Sequence, residues 1–476
     1  MKNFLRAALF LCFCCPNCLV AQISSFTHVI IVIQENRTPD NLFQGLCSAP
    51  FGTSKSCSIT PSSTQYDILT SNWLDKTSAN GVTQPAGIAL ANSYDVSHSH
   101  QAFITTCDIN SAGVCRMDGA ANTDCTGTCA THPHYKYVTN TASILNPYLT
   151  MATSYGWANY MFQTNQGPTF PAHQFLFGGT SAPSAADDAA GTFSSSNMFP
   201  DLNNPVAGCT ALSTTHVNLV YATGKTGSTY PCFEHETLTD LLDSSAISWK
   251  YYTPGAGSIV TAPNAIDHIC LPNQATGGKC TGTEWAKVVV QPKQVLTDIG
   301  NCKLAGVTWV TPGGKFSDHA NSNDGSGPSW VASIVNAIGN QKKCSDGEKY
   351  WNNTAILVTW DDWGGWYDHE PPTILAGAEG DFQYGFRVPL LVVSAYTTAG
   401  YIDNKRMDFG TILRFIEKNY GIAEGALNFA DARSSTDLSE FFNLKQVPRP
   451  FVTIPAALSA GFFIHDKREL TEPDDE

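Results

Sequence analysis

The chain has 476 residues, and 27 lysines and arginines against 41 aspartates and glutamates leave a formal net charge of -14. With no basic stripe, that balance excludes nucleic acid and anionic membrane surfaces as bulk electrostatic partners. Only 14% of residues are charged and 38 are glycine, which suits a loop-rich extracellular enzyme rather than a helical scaffold.

Residues 1–21 read as a secretory signal peptide. Lys2 and Arg6 give a basic start, residues 7–20 are apolar, and Ala21 marks a cut before Gln22. The predicted address is secreted or periplasmic. No later run reaches about 18 apolar residues, so no integral membrane segment is expected in the mature chain. Four of the 16 cysteines (Cys12, Cys14, Cys15 and Cys18) leave with the signal. An even set remains, and in an oxidising compartment it predicts several disulfides, whose pairing stays open. Residues 22–465 are expected to form a single catalytic domain with loop-rich, disulfide-containing insertions, followed by an acidic tail over 466–476.

Along the chain, "HVIIVIQ" (28–34) is a near-continuous apolar run that suits a parallel strand buried on both faces. Residues 163–173, "QTNQGPTFPAH", place Thr169 between two prolines, a segment expected to hold its hydroxyl in a fixed turn. A helix is predicted over 236–243. "GVTWVTP" (306–312) is a weaker strand leading through a glycine turn to Ser317, Asp318 and His319. A helix over 328–339 follows, then strands "AILVTW" (355–360) and "PLLVVSA" (389–395), and a helix over 408–419 that Gly421 stops. Strands alternating with helices predict a three-layer α/β/α sandwich around a mostly parallel sheet. In such sheets ligands bind at the carboxyl ends of strands. Three predicted strand ends deliver Glu35–Asn36, Asp361–Asp362 and His319 to that edge.

A threonine hydroxyl is a weak nucleophile at neutral pH and needs a base or a metal. The carboxylates and amide at the strand ends are hard oxygen ligands for one divalent ion such as Ca, Mg or Mn; a histidine in the shell shifts preference toward Zn or Fe. No G-x-S-x-G elbow occurs, "HETLTD" at 235–240 lacks a zincin's second histidine, and "GKT" at 224–226 lacks the first glycine of a P-loop.

The block "HVIIVIQENRTPDNLFQG" (28–45) resembles the opening motif of the bacterial phospholipase C and acid phosphatase family, within the alkaline-phosphatase-like superfamily. The likeness continues in order through "DVSHSH" (95–100), "RMDGA" (116–120), "NQGPTFPAHQFLFGG" (165–179) and "TWDDWGGWYDHEPP" (359–372). The resemblance implies an alkaline-phosphatase-like sheet and hydrolysis of phosphate esters through a phosphothreonine intermediate at Thr169. Phospholipase C-type phosphodiesters, including phospholipids, and phosphomonoesters are both implied as substrates. It further implies metal binding by Glu35, Asn36, Thr169, Asp361 and Asp362. His98 and His319 would face the phosphoryl oxygens or the leaving group, Arg116 would hold a phosphate oxygen, and His268 matches another active-site histidine.

The chain departs from that pattern in places. Asp362 stands where glutamate is common, Trp363 replaces a histidine or small residue, and Asp267 lies beside His268 where a basic residue is usual. His173 and His369, although inside matched blocks, are read as loop braces. The competing readings are a secreted binding protein of the same fold that lost catalysis, and another superfamily hydrolase such as a nucleotide pyrophosphatase.

Overall fold

A computed structural model describes residues 24–199, 206–273, 278–342, 344–345, 347–372 and 384–474; the expected signal peptide lies outside them. Eight strands form the central sheet: β1 (His28–Gln34), β2 (Gly156–Met161), β3 (Trp249–Thr253), β4 (Val288–Val290), β5 (Val307–Val310), β6 (Thr354–Trp360), β7 (Leu390–Val393) and β8 (Tyr401–Met407). Their spatial order is β4-β3-β5-β1-β6-β7-β2-β8. Every pairing is parallel except the two made by β7, which runs against both β6 and β2. The apolar runs at the centre, β1 and β6, are buried at every position. A strand with both faces covered has no water-facing side on which a polar alternation could appear.

The run at 389–395 has the same near-continuous apolarity that suggests a parallel strand, yet β7 is antiparallel to both neighbours. Near-continuous apolarity reports burial on both faces and carries no information about direction.

Helices cover both faces. One layer holds α3 (Thr169–Gly178), α4 (Leu238–Ser244) and α7 (Phe409–Asn419); the other holds α2 (Asn146–Ser154), α5 (Gln294–Gly300), α6 (Gly327–Asn340) and the short α8 (Ala460–His465). A further helix, α1 (His100–Cys107), lies in the insertion after β1. Trp309 of β5 donates to the Leu176 carbonyl of α3, whereas Trp360 of β6 packs edge-on against Tyr148 of α2. The chain is therefore the expected three-layer sandwich. Helix α7 begins at a capping box in which Asp408 accepts from the Thr411 N–H, and Gly421 follows it with a φ of 72°.

Six disulfides join cysteines that are consecutive in sequence: 47–57, 107–115, 125–129, 209–232, 270–280 and 302–344. Among the described residues no helix is long and apolar enough to cross a membrane.

Under the site the loops are tied by a buried charge network. Arg387, fully buried, donates to Asp67 at 2.9 Å and Asp368 at 2.8 Å, while His369 bridges Asp40 at 2.8 Å and Asp67 at 3.1 Å. Removing the guanidinium would leave buried Asp368 without its cation and Asp67 with His369 alone. Arg387→Met is expected to cost about 3–5 kcal/mol in denaturant unfolding with disulfides intact. A loss below about 1 kcal/mol would mean the network is no stronger than a surface pair.

Candidate active site

The strand register builds the first half of the site. Gln34 pairs with Trp360 across β1 and β6, so the next residues, Glu35 and Asp361, leave the sheet side by side. Asn36 then takes a left-handed φ of 61°, which asparagine tolerates, and its N–H donates to Asp361 Oδ1 at 3.1 Å. The chain after Asp362 turns at Gly364, whose φ is 61° and whose added Cβ would lie 2.4 Å from the Asn36 carbonyl. Only glycine lets that turn close over Asn36.

Thr169 supplies the centre. The expected turn is in fact the first residue of α3, with Pro168 as the capping residue. Pro171 fits there because the first helical turn needs no N–H donor. The Thr169 hydroxyl is buried at the positive end of the helix and donates to Asp362 Oδ2 at 3.3 Å and Asp474 Oδ2 at 2.8 Å. His100, first residue of α1, lies 2.6 Å from the Gln166 carbonyl and so ties that helix to the loop leading into Thr169.

His173, read from sequence as a brace, enters the site one turn after Thr169, on the same face of α3. Its Nε2 lies 3.6 Å from both Glu35 Oε1 and Asp361 Oδ2, all fully buried. The tautomer follows from its other nitrogen. Tyr251 gives its hydroxyl proton to the Val260 carbonyl at 2.6 Å, so at 3.3 Å it accepts from His173 Nδ1. The Nε2 lone pair then points at two carboxylates, an arrangement that repels unless a cation lies between. Consistent with that, both Glu35 oxygens, Asn36 Oδ1, Asp361 Oδ2 and His173 Nε2 lack any hydrogen-bond partner. No lysine or arginine among the described residues pairs with Glu35, Asp361 or Asp362. Burial first, and then Asp361, push the carboxyls of Glu35 and Asp362 well above their usual range. Glu35, His173 and Asp361 form a buried group able to hold a metal ion.

On the other side of Thr169 stand His98, His319 and Asp474, a second such group. His98 Nδ1 donates to the Val96 carbonyl at 3.1 Å, turning Nε2 toward the Asn36 amide at 3.1 Å and Asp474 at 3.5 Å. His319 Nδ1 donates to the Ala320 carbonyl at 2.6 Å, leaving Nε2 3.3 Å from Asp474 Oδ1 and 3.8 Å from Asp95. Burial would lower the His319 pKa, but Asp95 and Asp474 outweigh it and hold it at about 10. Asn197 spans the site, accepting from the Phe170 N–H at 2.9 Å and donating to Asp474 at 3.2 Å. Trp363 is fully buried between Phe103 and Phe386 and meets the His98 ring edge-on at 6.2 Å.

Seven of the sequence candidates thus converge: Glu35, Asn36, His98, Thr169, His319, Asp361 and Asp362. Two stand apart in their contacts. Arg116 is half-exposed and pairs with Asp108 and Asp118, and His268 is held between Glu234 at 2.9 Å and Asp240 at 3.2 Å. Each is already paired with acids outside the cluster, and among the described residues none of these ion pairs reaches the cluster. Neither contact supports the role inferred for it from resemblance.

A family model described as Phosphoesterase family matches residues 26–423. The chain belongs to the Phosphoesterase family. This phosphoesterase-family chain is 26% identical over 234 residues to phospholipase C B of Mycobacterium tuberculosis, covering 44% of this chain and 43% of that protein. It is 23% identical over 345 residues to the non-hemolytic phospholipase C of Pseudomonas aeruginosa, covering 65% of this chain and 44% of the relative. The chain therefore spans under half the length of these phospholipases. Among solved structures, a protein in the alkaline phosphatase superfamily from Vibrio parahaemolyticus aligns with a TM-score of 0.33 at 11% identity, over 60% of this chain and 63% of that one. A likeness at that level has no bearing on the site.

Proposed function

We propose that this member of the Phosphoesterase family is a metal-dependent hydrolase of phosphate esters that acts through a phosphothreonine at Thr169. The observation that carries it is the position of the Thr169 hydroxyl, buried at a helix N-terminus between a set of orphaned metal-type donors and two histidines. Glu35, Asn36, His173, Asp361 and Asp362 would hold the ion, which when bound supplies Lewis-acid charge against the developing alkoxide and phosphoryl oxygens. The imidazole of His173 shifts the preferred ion from calcium, magnesium and manganese toward zinc or iron.

In this reading Thr169 Oγ1 bonds to phosphorus as the bond to the leaving oxygen breaks, and its proton passes toward Asp362. His319 gives its Nε2 proton to the departing alkoxide, which leaves as the alcohol. The same imidazole then takes a proton from water, which attacks the phosphothreonine and releases phosphate or a phosphomonoester as Thr169 Oγ1 recovers its proton from Asp362. Asn197 and His98 hold the non-bridging oxygens. The relatives' names bring phospholipase C-type diesters into the substrate class, alongside monoesters. Export to an oxidising compartment belongs to the same reading, supported by six disulfides.

The test is a substrate panel with the mature chain and added divalent metals: p-nitrophenyl phosphate, bis(p-nitrophenyl) phosphate and phosphatidylcholine micelles. Turnover of at least one, stopped by a chelator and restored by one metal, is the expected result. Failure on all three by both wild type and a variant with the site cleared, described next, would remove the proposed function.

A further inference from the structure

The chain's own acidic tail reaches the centre of this site. After α8 it runs back over the sheet's carboxyl edge, held by successive contacts. Lys293 binds the Asp466 carbonyl, Arg468 pairs with Asp324, Gly314 donates to the Thr471 carbonyl at 2.9 Å, Ser258 binds Glu472, and Ser322 donates to the Pro473 carbonyl at 2.8 Å. It delivers Asp474, only 2% exposed, to Thr169. One carboxylate there takes the Thr169 hydroxyl at 2.8 Å, the Asn197 amide at 3.2 Å, His98 at 3.5 Å and, on its second oxygen, His319 at 3.3 Å.

We propose that residues 466–474 are an autoinhibitory strap whose Asp474 carboxylate occupies the subsite for the transferred phosphoryl group. The inference rests on the hydrolase reading above and adds how that site is kept closed. Two features carry it. The groups that hold Asp474 are the nucleophile and the donors a phosphoryl group would need, so the carboxylate is an oxyanion standing in for phosphate. Attack requires phosphorus at roughly 3–3.5 Å from the hydroxyl oxygen, a place the carboxylate fills. Strap and substrate are therefore mutually exclusive. Because the strap is tethered, it competes at a high effective concentration whatever the protein concentration. Between these anchors Lys467 and Glu469 are exposed to solvent.

Binding of inorganic phosphate, measured calorimetrically on the full metal-loaded chain, tests this independently of turnover. Asp474→Ala is expected to bind phosphate at least about tenfold more tightly than wild type. Its KM for p-nitrophenyl phosphate should fall in parallel, with kcat undiminished. Arg468→Gln, which frees the strap from Asp324 and has no contact with the site residues named above, should shift both in the same direction by less, and it carries the test if Asp474→Ala misfolds. Unchanged phosphate affinity in both variants overturns the proposal. So does a hundredfold fall in kcat at constant KM in Asp474→Ala, which would place Asp474 in the catalytic machinery. Tighter phosphate binding with no ester turned over by either protein would uphold the strap and sink the hydrolase reading.

Discussion

Thr169→Ala is expected to lower turnover of the best substrate by roughly a thousandfold or more. The substitution removes the hydroxyl that stands between the carboxylates and the histidines. Folding should survive, because alanine is the better helix former at the first turn of α3 and the change deletes few buried atoms. Thr169→Ser separates the two roles the residue plays. It keeps the oxygen and loses the methyl group, so it should retain most of the chemistry if the hydroxyl is the nucleophile. Acid-quenched wild type should carry covalent phosphate on the peptide containing Thr169, and the alanine variant should carry none. An alanine variant with more than a tenth of wild-type turnover would remove Thr169 from this role.

The second large effect concerns the buried carboxylates. Glu35→Gln keeps the shape of the side chain while deleting one negative charge and one ligand. Wild type is expected to retain a single bound transition-metal ion through purification, and the glutamine variant to lose at least about 100-fold in metal affinity, with activity following. Thermal unfolding with and without a chelator is expected to separate the two proteins. In wild type, removing the ion leaves Glu35, Asp361 and Asp362 facing one another without a cation, so the melting temperature falls. In Glu35→Gln that repulsion is already relieved, and the chelator should move the melting temperature little. A wild-type melt indifferent to chelation, together with no metal by elemental analysis, would mean that the orphaned donors serve another purpose.

How much of this was legible beforehand depends on the physics behind each feature. The central strands were readable because a run such as 28–34, buried on both faces, must be apolar throughout. The strand at 401–407 was not, since it lies at the sheet edge with Asn404, Lys405 and Arg406 exposed. Likewise "WKYYT" at 249–253 carries its burial in aromatic rings rather than in an aliphatic run. In the site, Glu35, Asn36, Asp361 and Asp362 were visible as the residues that follow two such strands. His173 was masked by the flanking prolines, which suggested a turn; with α3 in place, its spacing of four from Thr169 puts both on one face. Asn197 and Asp474 have no local signal at all. Asn197 reaches Phe170 across 27 residues of sequence, and Asp474 reaches Thr169 across 305. Only the folded chain reveals that an acid in a charged tail is among the most buried in the protein.

The disulfides carry a consequence for how such a chain is made. Among the described residues each cysteine is bonded to its immediate neighbour in the cysteine order, with separations from 4 to 42 residues. A polypeptide threaded from its N-terminus into an oxidising compartment meets each correct partner before the next candidate emerges. Vectorial oxidation therefore yields the native set directly, with little call on an isomerase to reshuffle wrong pairs. The covalent frame of the insertions can close while residues 466–474, the proposed strap, are still to arrive.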